Sequence, residues 1–200
     1  MSKNYLVPSH TLEIKTEVKK SRFIARAAYI TDRKQAMSML AEAKHDYPDA
    51  RHHCWAYLIG NPTSASNAAM NDAGEPSGTA GKPILNVIQH KHVGDVMIVV
   101  IRYFGGIKLG AGGLTRAYSG AAEAVMSQLP LTQQVATRSI TLHCNFSQEQ
   151  ALRHWASQHQ AELATPDYGE QVSITINLPE IHCSALETWC LAHGITWSKH

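Results

Sequence analysis

The sequence predicts an α+β protein of two domains. The first ground is Val96–Ile101, six apolar residues in a row and mostly β-branched. Such a run is how a strand covered on both faces reads, and it places this strand in the middle of a sheet. The second is the order of elements in the last third of the chain, strand–helix–strand–strand–helix–strand, which is the ferredoxin-like βαββαβ pattern. The third is Pro130–Gln134, a Pro/Gln-rich stretch between two complete strand–helix sets. The balance of charge changes sign close to it. Residues 1–137 hold 15 basic and 10 acidic side chains, a balance of +5, and residues 138–200 hold 3 and 6, a balance of −3. The predicted domains are 1–134 and 135–200.

Two hundred residues suit one large or two small domains, and 44% hydrophobic content is ordinary for a globular chain. No apolar run approaches the roughly 20 residues a membrane-spanning helix needs, so no membrane partner is expected. The N-terminal stretch MSKNYLVPSHTLEIK lacks the apolar core of a signal peptide, and the expected location is cytoplasmic. Cys54, Cys144, Cys183 and Cys190 are scattered without a CxxC pair, as reduced, buried thiols are. A net charge of +2 is too small to demonstrate nucleic-acid binding. A basic first domain is nonetheless compatible with a polyanionic partner.

In chain order, Leu12–Val18 and Arg22–Ile30 read as two strands turned at Lys19-Lys20-Ser21. Leu12, Ile14, Thr16 and Val18 alternate as a half-buried strand does. Arg22 and Arg26 alternate with Ile24, and their charges read as those of a solvated hairpin edge. Thr31-Asp32 supplies an N-cap for a helix whose stripe is Ala36, Met37, Leu40, Ala41 and Ala43. Pro48 follows that helix. His52–Ile59 is a strand, with Trp55, Tyr57 and Ile59 on one face and Cys54, Ala56 and Leu58 on the other. Asn61–Thr79 is rich in Asn, Ser, Ala and Gly and reads as a long loop, a kind that tends to be functional or disordered. Within it, Asp72 and Glu75 could bind a cation or cap a turn, and they read better as turn caps. A helix is predicted over Pro83–Gln89, with Pro83 suited to its first turn. After Val96–Ile101 and the turn that follows, Leu114, Ala117, Tyr118, Ala121, Val125 and Leu129 recur at helical spacing.

In the second domain, Ser139–Phe146 alternates as a strand. Ser147–Gln160 reads as a helix with Leu152 and Trp155 inward and a capping box formed by Ser147 and Gln150. Glu162–Thr165 and Val172–Leu178 are strands around an Asp167-Tyr168-Gly169 turn. Ile181–His193 is a helix stopped by Gly194, and Ile195–Ser198 is the last strand.

Chemistry concentrates at two glycine-rich turns. Gly105-Gly106 ends the core strand, and Gly110-Ala111-Gly112-Gly113 opens the next helix. Unpaired N–H groups and the positive end of the helix dipole converge at such a place, and glycine lets a ligand approach the backbone. Gly78 and Gly81 make a second approach of the same kind. Lys82, Arg102, Lys108 and Arg116 supply positive charge. The candidate anion- or nucleic-acid-binding set is therefore Gly78, Gly81, Lys82, Arg102, Gly105, Gly106, Lys108, Gly110, Gly112, Gly113 and Arg116. Against it, glycines also serve tight turns and close packing, and neither GxGxxG in its nucleotide-binding context nor GxxxxGK[ST] is present. No metal or other cofactor is expected. His52, His53 and Cys54 are neighbours on a strand and point to alternate faces, and Cys190 with His193 makes only two ligands. Cys54 lies in an apolar strand, where a buried thiol is the default, and no GxSxG or HExxH motif occurs, so no catalytic residue is assigned.

Three segments carry a family resemblance: HCWAY at 53–57, GEPSGTAGKP at 74–83 and GGIKLGAGGLTRAY at 105–118. The chain resembles the bacterial two-domain type of the IMPACT family over essentially its whole length. The resemblance implies a first domain with the fold of the second domain of a small-subunit ribosomal protein, a β/α fold found also in elongation factor G and in GHMP-type kinases. It implies a ferredoxin-like second domain and transfers no catalytic residue. Eukaryotic members carry an additional N-terminal RWD domain and restrain the amino-acid-starvation kinase. This chain begins directly with the shared domain, so the expectation that transfers is regulation of translation. The functional expectation is a translation-associated protein whose basic domain docks on RNA or the ribosome, with translation-regulatory proteins as further partners. The alternatives are a phosphometabolite- or nucleotide-binding enzyme using the glycine-rich turns, and a protein-interaction module.

Overall fold

A computed structural model describes residues 4–199; Met1–Lys3 of the N-terminal stretch and His200 lie outside the described residues. The chain divides into a unit of residues 1–134 and a unit of residues 135–200.

In the first unit, β1 (Tyr5–Pro8) precedes the hairpin β2 (Leu12–Val18) and β3 (Ser21–Tyr29). Helix α1 (Arg33–Asp46) leads to β4 (His52–Ile59) and β5 (Asn67–Asn71), and α2 (Gly81–Lys91) to β6 (Val96–Tyr103). The long helix α3 (Gly110–Met126) and β7 (Leu131–Gln134) complete the unit. Five strands form an antiparallel sheet in the order β2-β3-β6-β4-β5. The central strand is β6, and its residues Val96–Arg102 are buried throughout. Because side chains alternate across a strand, Val96, Ile98 and Val100 join Phe23, Cys54 and Ala56 beneath α2 and α3. Met97, Val99 and Ile101 join Ile24, Tyr57 and Ile59 beneath α1.

Three predicted features are corrected here. The loop 61–79 contains an edge strand, β5, paired with β4 from Ile59↔Asn67 to Trp55↔Asn71. Its residues are largely exposed, so the burial periodicity that marks a strand is missing. Strand β3 is internal, and the sheet edge on that side is β2. Arg26 therefore does not guard an edge, but pairs with Glu13 and Asp46 at 2.9 and 2.7 Å. The buried stripe of α1 is Ala36, Met39 and Ala43, while Ala41 is exposed. Asp32 caps α1 as predicted, accepting from the Gln35 amide at 2.8 Å.

The segment predicted as a linker is mostly strand. Residues 131–134 form β7 and pair antiparallel with β1, Tyr5 opposite Gln134 and Pro8 opposite Leu131. Next along the chain, the Ala136 carbonyl already accepts from the Glu180 amide of the second unit. Residues 131–134 are largely exposed in this ribbon and leave no burial signal in the sequence.

The second unit runs β8 (Thr137–Cys144), α4 (Glu149–Gln158), β9 (Glu162–Leu163), β10 (Asp167–Tyr168), β11 (Val172–Pro179), α5 (Cys183–His193) and β12 (Thr196–Lys199). Its sheet has the order β10-β11-β8-β12, with β9 also on β11 and every pair antiparallel. That is the ferredoxin-like arrangement of βαββαβ, and the molecule as a whole is α+β. Ile140, Leu142, Ile174, Ile176 and Leu178 face Leu152, Trp155, Leu186 and Cys190. The capping box belongs to Asn145 and Gln148, at a 3-10 turn (Phe146–Gln148) leading into α4, and not to Ser147 and Gln150. Residues Asp167–Tyr168, predicted as a turn, are paired with β11. Gly194 ends α5 in the left-handed conformation, φ 65°.

Candidate functional site

The two glycine-rich turns lie at the same end of the first domain. Helices α2 and α3 pack side by side and run in the same direction. Gly78 and Lys82 share a groove with Thr115 and Ser119, and at the far ends Lys91 contacts Glu123 and donates to Ser127 at 3.2 Å. Both N-termini therefore reach the end of the sheet where β6 finishes.

The two N-termini are chemically unlike. At α2 the amides of Gly78, Ala80 and Gly81 all donate to the Asp72 carboxylate, at 2.8, 2.9 and 2.8 Å. Partial burial works to raise the Asp72 pKa, but these three N–H groups outweigh it and hold the carboxylate below its ordinary value. Gly81 is required by packing, since a Cβ there would stand 2.9 Å from the Asn71 backbone. The predicted anion role of Gly78 and Gly81 is thus corrected: the protein supplies the anion itself. Lys82 is exposed beside this occupied end.

No side chain among the described residues caps α3. Gly106, in the turn before it, and Gly110, its first residue, hold positive φ, 84° and 70°. Gly105 lets the turn cross the β2–β3 hairpin, where a Cβ would come within 2.0 Å of the Lys20 backbone. Gly112 is open: only Arg116 Nη1 comes near a Cβ built there, at 3.7 Å. The Arg116 side chain therefore hangs beside the first turn of its own helix, next to Gly113 and Lys19. Lys108 is exposed on the other side of the turn.

Lys108, Gly110 and Ala111 form one wall of a cavity of about 390 Å³, completed by Arg51, His52, Glu75, Pro76, Arg102, Phe104, Leu109 and Leu114. Arg102 does not offer a free charge. Its Nη1 donates to Glu75 Oε1 at 2.5 Å, and the two side chains are only 8% and 4% exposed. Tyr118 donates to the same Oε1 at 2.8 Å. The Cys54 Sγ lies 2.9 Å from the Asp72 carbonyl oxygen and 3.3 Å from the Tyr118 hydroxyl. Burial pushes the Cys54 thiol up to about 12 and also raises the Tyr118 hydroxyl. Glu75, predicted as a turn cap, is instead the anchor of a buried ion pair that ties β6, α3 and the 72–80 loop together.

Of the predicted residues, Arg102, Lys108 and Gly110 meet at this cavity, whereas Gly113 and Arg116 line a separate pocket beside Val18 and Lys19. Gly78 and Lys82 face the α2–α3 groove instead. Sequence reasoning missed Arg51, His52, Phe104 and Tyr118. Phe104 was legible, because a large apolar residue placed beyond a core strand and before two glycines has little core to join, and it is 60% exposed. Among the described residues no group of three or more His, Cys, Asp or Glu is arranged to hold a metal. Among the same residues no helix is long and apolar enough to cross a membrane.

Residues 19–126 match the Impact N-terminal domain, and residues 142–189 match a domain of unknown function, DUF1949. An IMPACT family member of Haemophilus influenzae is 34% identical over 176 residues, 88% of this chain and 85% of its own. The Escherichia coli IMPACT family member YigZ is 35% identical over 88% of this chain and 86% of its own length. A crystal structure described as that of a hypothetical protein superposes with a TM-score of 0.78 at 30% identity, covering 100% of this chain and 98% of that one. The match spans both units and contains both glycine-rich turns: the chain belongs to the IMPACT family.

Proposed function

We propose that this is a translation-associated regulatory protein of the cytoplasm that docks on RNA or the ribosome through its first domain. IMPACT membership supports the link with translation, and the +5 balance of residues 1–137 favours a polyanionic partner. One observation carries the choice of site: α3 has an open N-terminus bracketed by Lys108 and Arg116, whereas the α2 N-terminus is filled by Asp72. A helix of 17 residues with unspent first-turn N–H groups and two flanking cations is suited to a backbone phosphate. Such contacts position a partner and carry no base sequence information.

The test is affinity purification from the protein's own cells, with and without nuclease, together with titration of single-stranded RNA across a salt series. Ribosomal recovery lost on nuclease treatment and a steep salt dependence are expected. Replacing Lys108 and Arg116 with alanine should lower the salt slope by up to about two, one for each phosphate contact. An unchanged slope in the double variant would remove this surface from the binding site.

The cavity favours a second reading, a phosphometabolite- or nucleotide-binding enzyme, because about 390 Å³ lies within the range of small-ligand sites, roughly 300–1,000 Å³. The groups at and behind its wall argue against nucleophilic chemistry. The Cys54 thiol is held protonated at neutral pH, and Glu75 is committed to Arg102 and Tyr118.

A further inference from the structure

We infer that the cavity beside the α3 N-terminus takes a single nucleotide, a nucleoside 5′-monophosphate unit, with its phosphate at the helix end and its base against Phe104. The inference rests on the RNA-docking reading and adds to it that one unstacked nucleotide leaves the strand and enters the domain.

Contact with the phosphate backbone alone does not call for what lies at the base of this cavity. Glu75 and Arg102 are each more than nine-tenths buried, yet both line the cavity wall. Both hydrogen bonds to Glu75 converge on Oε1, and Oε2 accepts none among the described residues. Arg102 Nε is buried without a partner. A buried ion pair with unspent hydrogen-bonding capacity is a poor stabilising device, since apolar replacements are often as stable. Oε2 calls for a donor from a ligand, and the Watson–Crick edge of every nucleobase presents one.

The rest of the wall suits the rest of a nucleotide. Pro76, Leu109, Leu114 and Phe104 are apolar, and Phe104 is exposed enough for a flat ring to stack upon it. Stacking on an aromatic side chain is how single-stranded nucleic acid is held without sequence preference. Arg102 lies against the same phenyl ring, its guanidinium carbon 5.8 Å from the centroid, which ties the ring to the ion pair. Lys108 and the Gly110 and Ala111 backbone stand at the rim where a 5′-phosphate would be received, and the volume admits one nucleotide.

The experiment titrates the full chain with a labelled single-stranded RNA and then competes it with each nucleoside 5′-monophosphate, ribose 5-phosphate or inorganic phosphate. The monophosphates are also titrated directly. A nucleotide should displace the RNA at concentrations where phosphate and ribose 5-phosphate do not. Phe104→Ala should weaken both RNA and nucleotide about tenfold or more, and Phe104→Tyr should restore both. RNA that binds but is displaced by no nucleotide and is indifferent to Phe104→Ala overturns the nucleotide site and leaves surface docking standing. A nucleotide that binds when RNA does not keeps the site and identifies the free nucleotide as its ligand, against the docking reading. Inorganic phosphate competing as well as a nucleotide reduces the cavity to an anion site and overturns the inference. Binding of neither RNA nor nucleotide overturns both.

Discussion

Replacing Asp72 with alanine removes the acceptor for three backbone amides at the start of α2 and costs about 1–2 kcal/mol, the usual range for a helix cap. Its titration has a definite sign. The folded-state pKa lies below the unfolded one, so the contribution is present above the ordinary aspartate value of about 3.9 and is lost as pH falls through the depressed folded value. Acid unfolding of wild type and Asp72→Asn, followed by circular dichroism, should show a smaller loss between neutral and acid pH in the variant. The buried pair behaves differently. Arg102→Met leaves Glu75 charged and unpaired and should cost about 3–5 kcal/mol, whereas the double change with Glu75→Leu should cost less than the single one. Chemical denaturation of the three variants measures this, and additive losses would show that the two residues do not act as a pair. Among the thiols, Cys54, Cys144 and Cys190 are buried and Cys183 is half-buried. A thiol reagent added to the native protein should therefore modify Cys183 first, with Cys54 reacting only on unfolding.

At the scale of elements, the two glycine-rich turns divide structural from available glycines. Gly105→Ala places a methyl group into the Lys20 backbone and should lower the melting temperature sharply or prevent folding. Gly112→Val meets only the tip of Arg116, so it should fold while its side chain crowds the open N–H groups of α3. Soluble, wild-type-like melting with weakened RNA binding is the expected pair of results for Gly112→Val. Unimpaired binding would show that no ligand approaches that turn. The ribbon of β1 and β7 makes a further case. A first-domain fragment ending at Leu129 lacks the partner of β1 and should melt below one ending at Gln134.

For the whole molecule, each unit has its own sheet and its own apolar core. Fragments 1–134 and 135–200 made separately should each give a cooperative thermal transition. Failure of either to fold alone would mean that its stability depends on the other. The buried elements were legible in the residues for a plain reason. Val96–Ile101 and Cys54–Ile59 are unbroken apolar runs because both faces of their sheet are covered, while Leu152 with Trp155 and the Leu114–Val125 stripe carry helical spacing because burial selects one face of a helix. The family motifs likewise mark the stretches from which the site is built. Exposed elements such as β5 and β7 left no such mark, since their formation depends on a strand edge that offers hydrogen bonds and not on what their side chains bury. The charges at the site are of the second kind. Arg102 and Lys108 look equivalent in the chain, and so do the two helix N-termini. Folding brings Glu75 to Arg102 across 27 positions and Asp72 to the amides of α2, leaving α3 and Lys108 unspent. Which charges remain available is a property of long-range pairing, and no local pattern of residues encodes it.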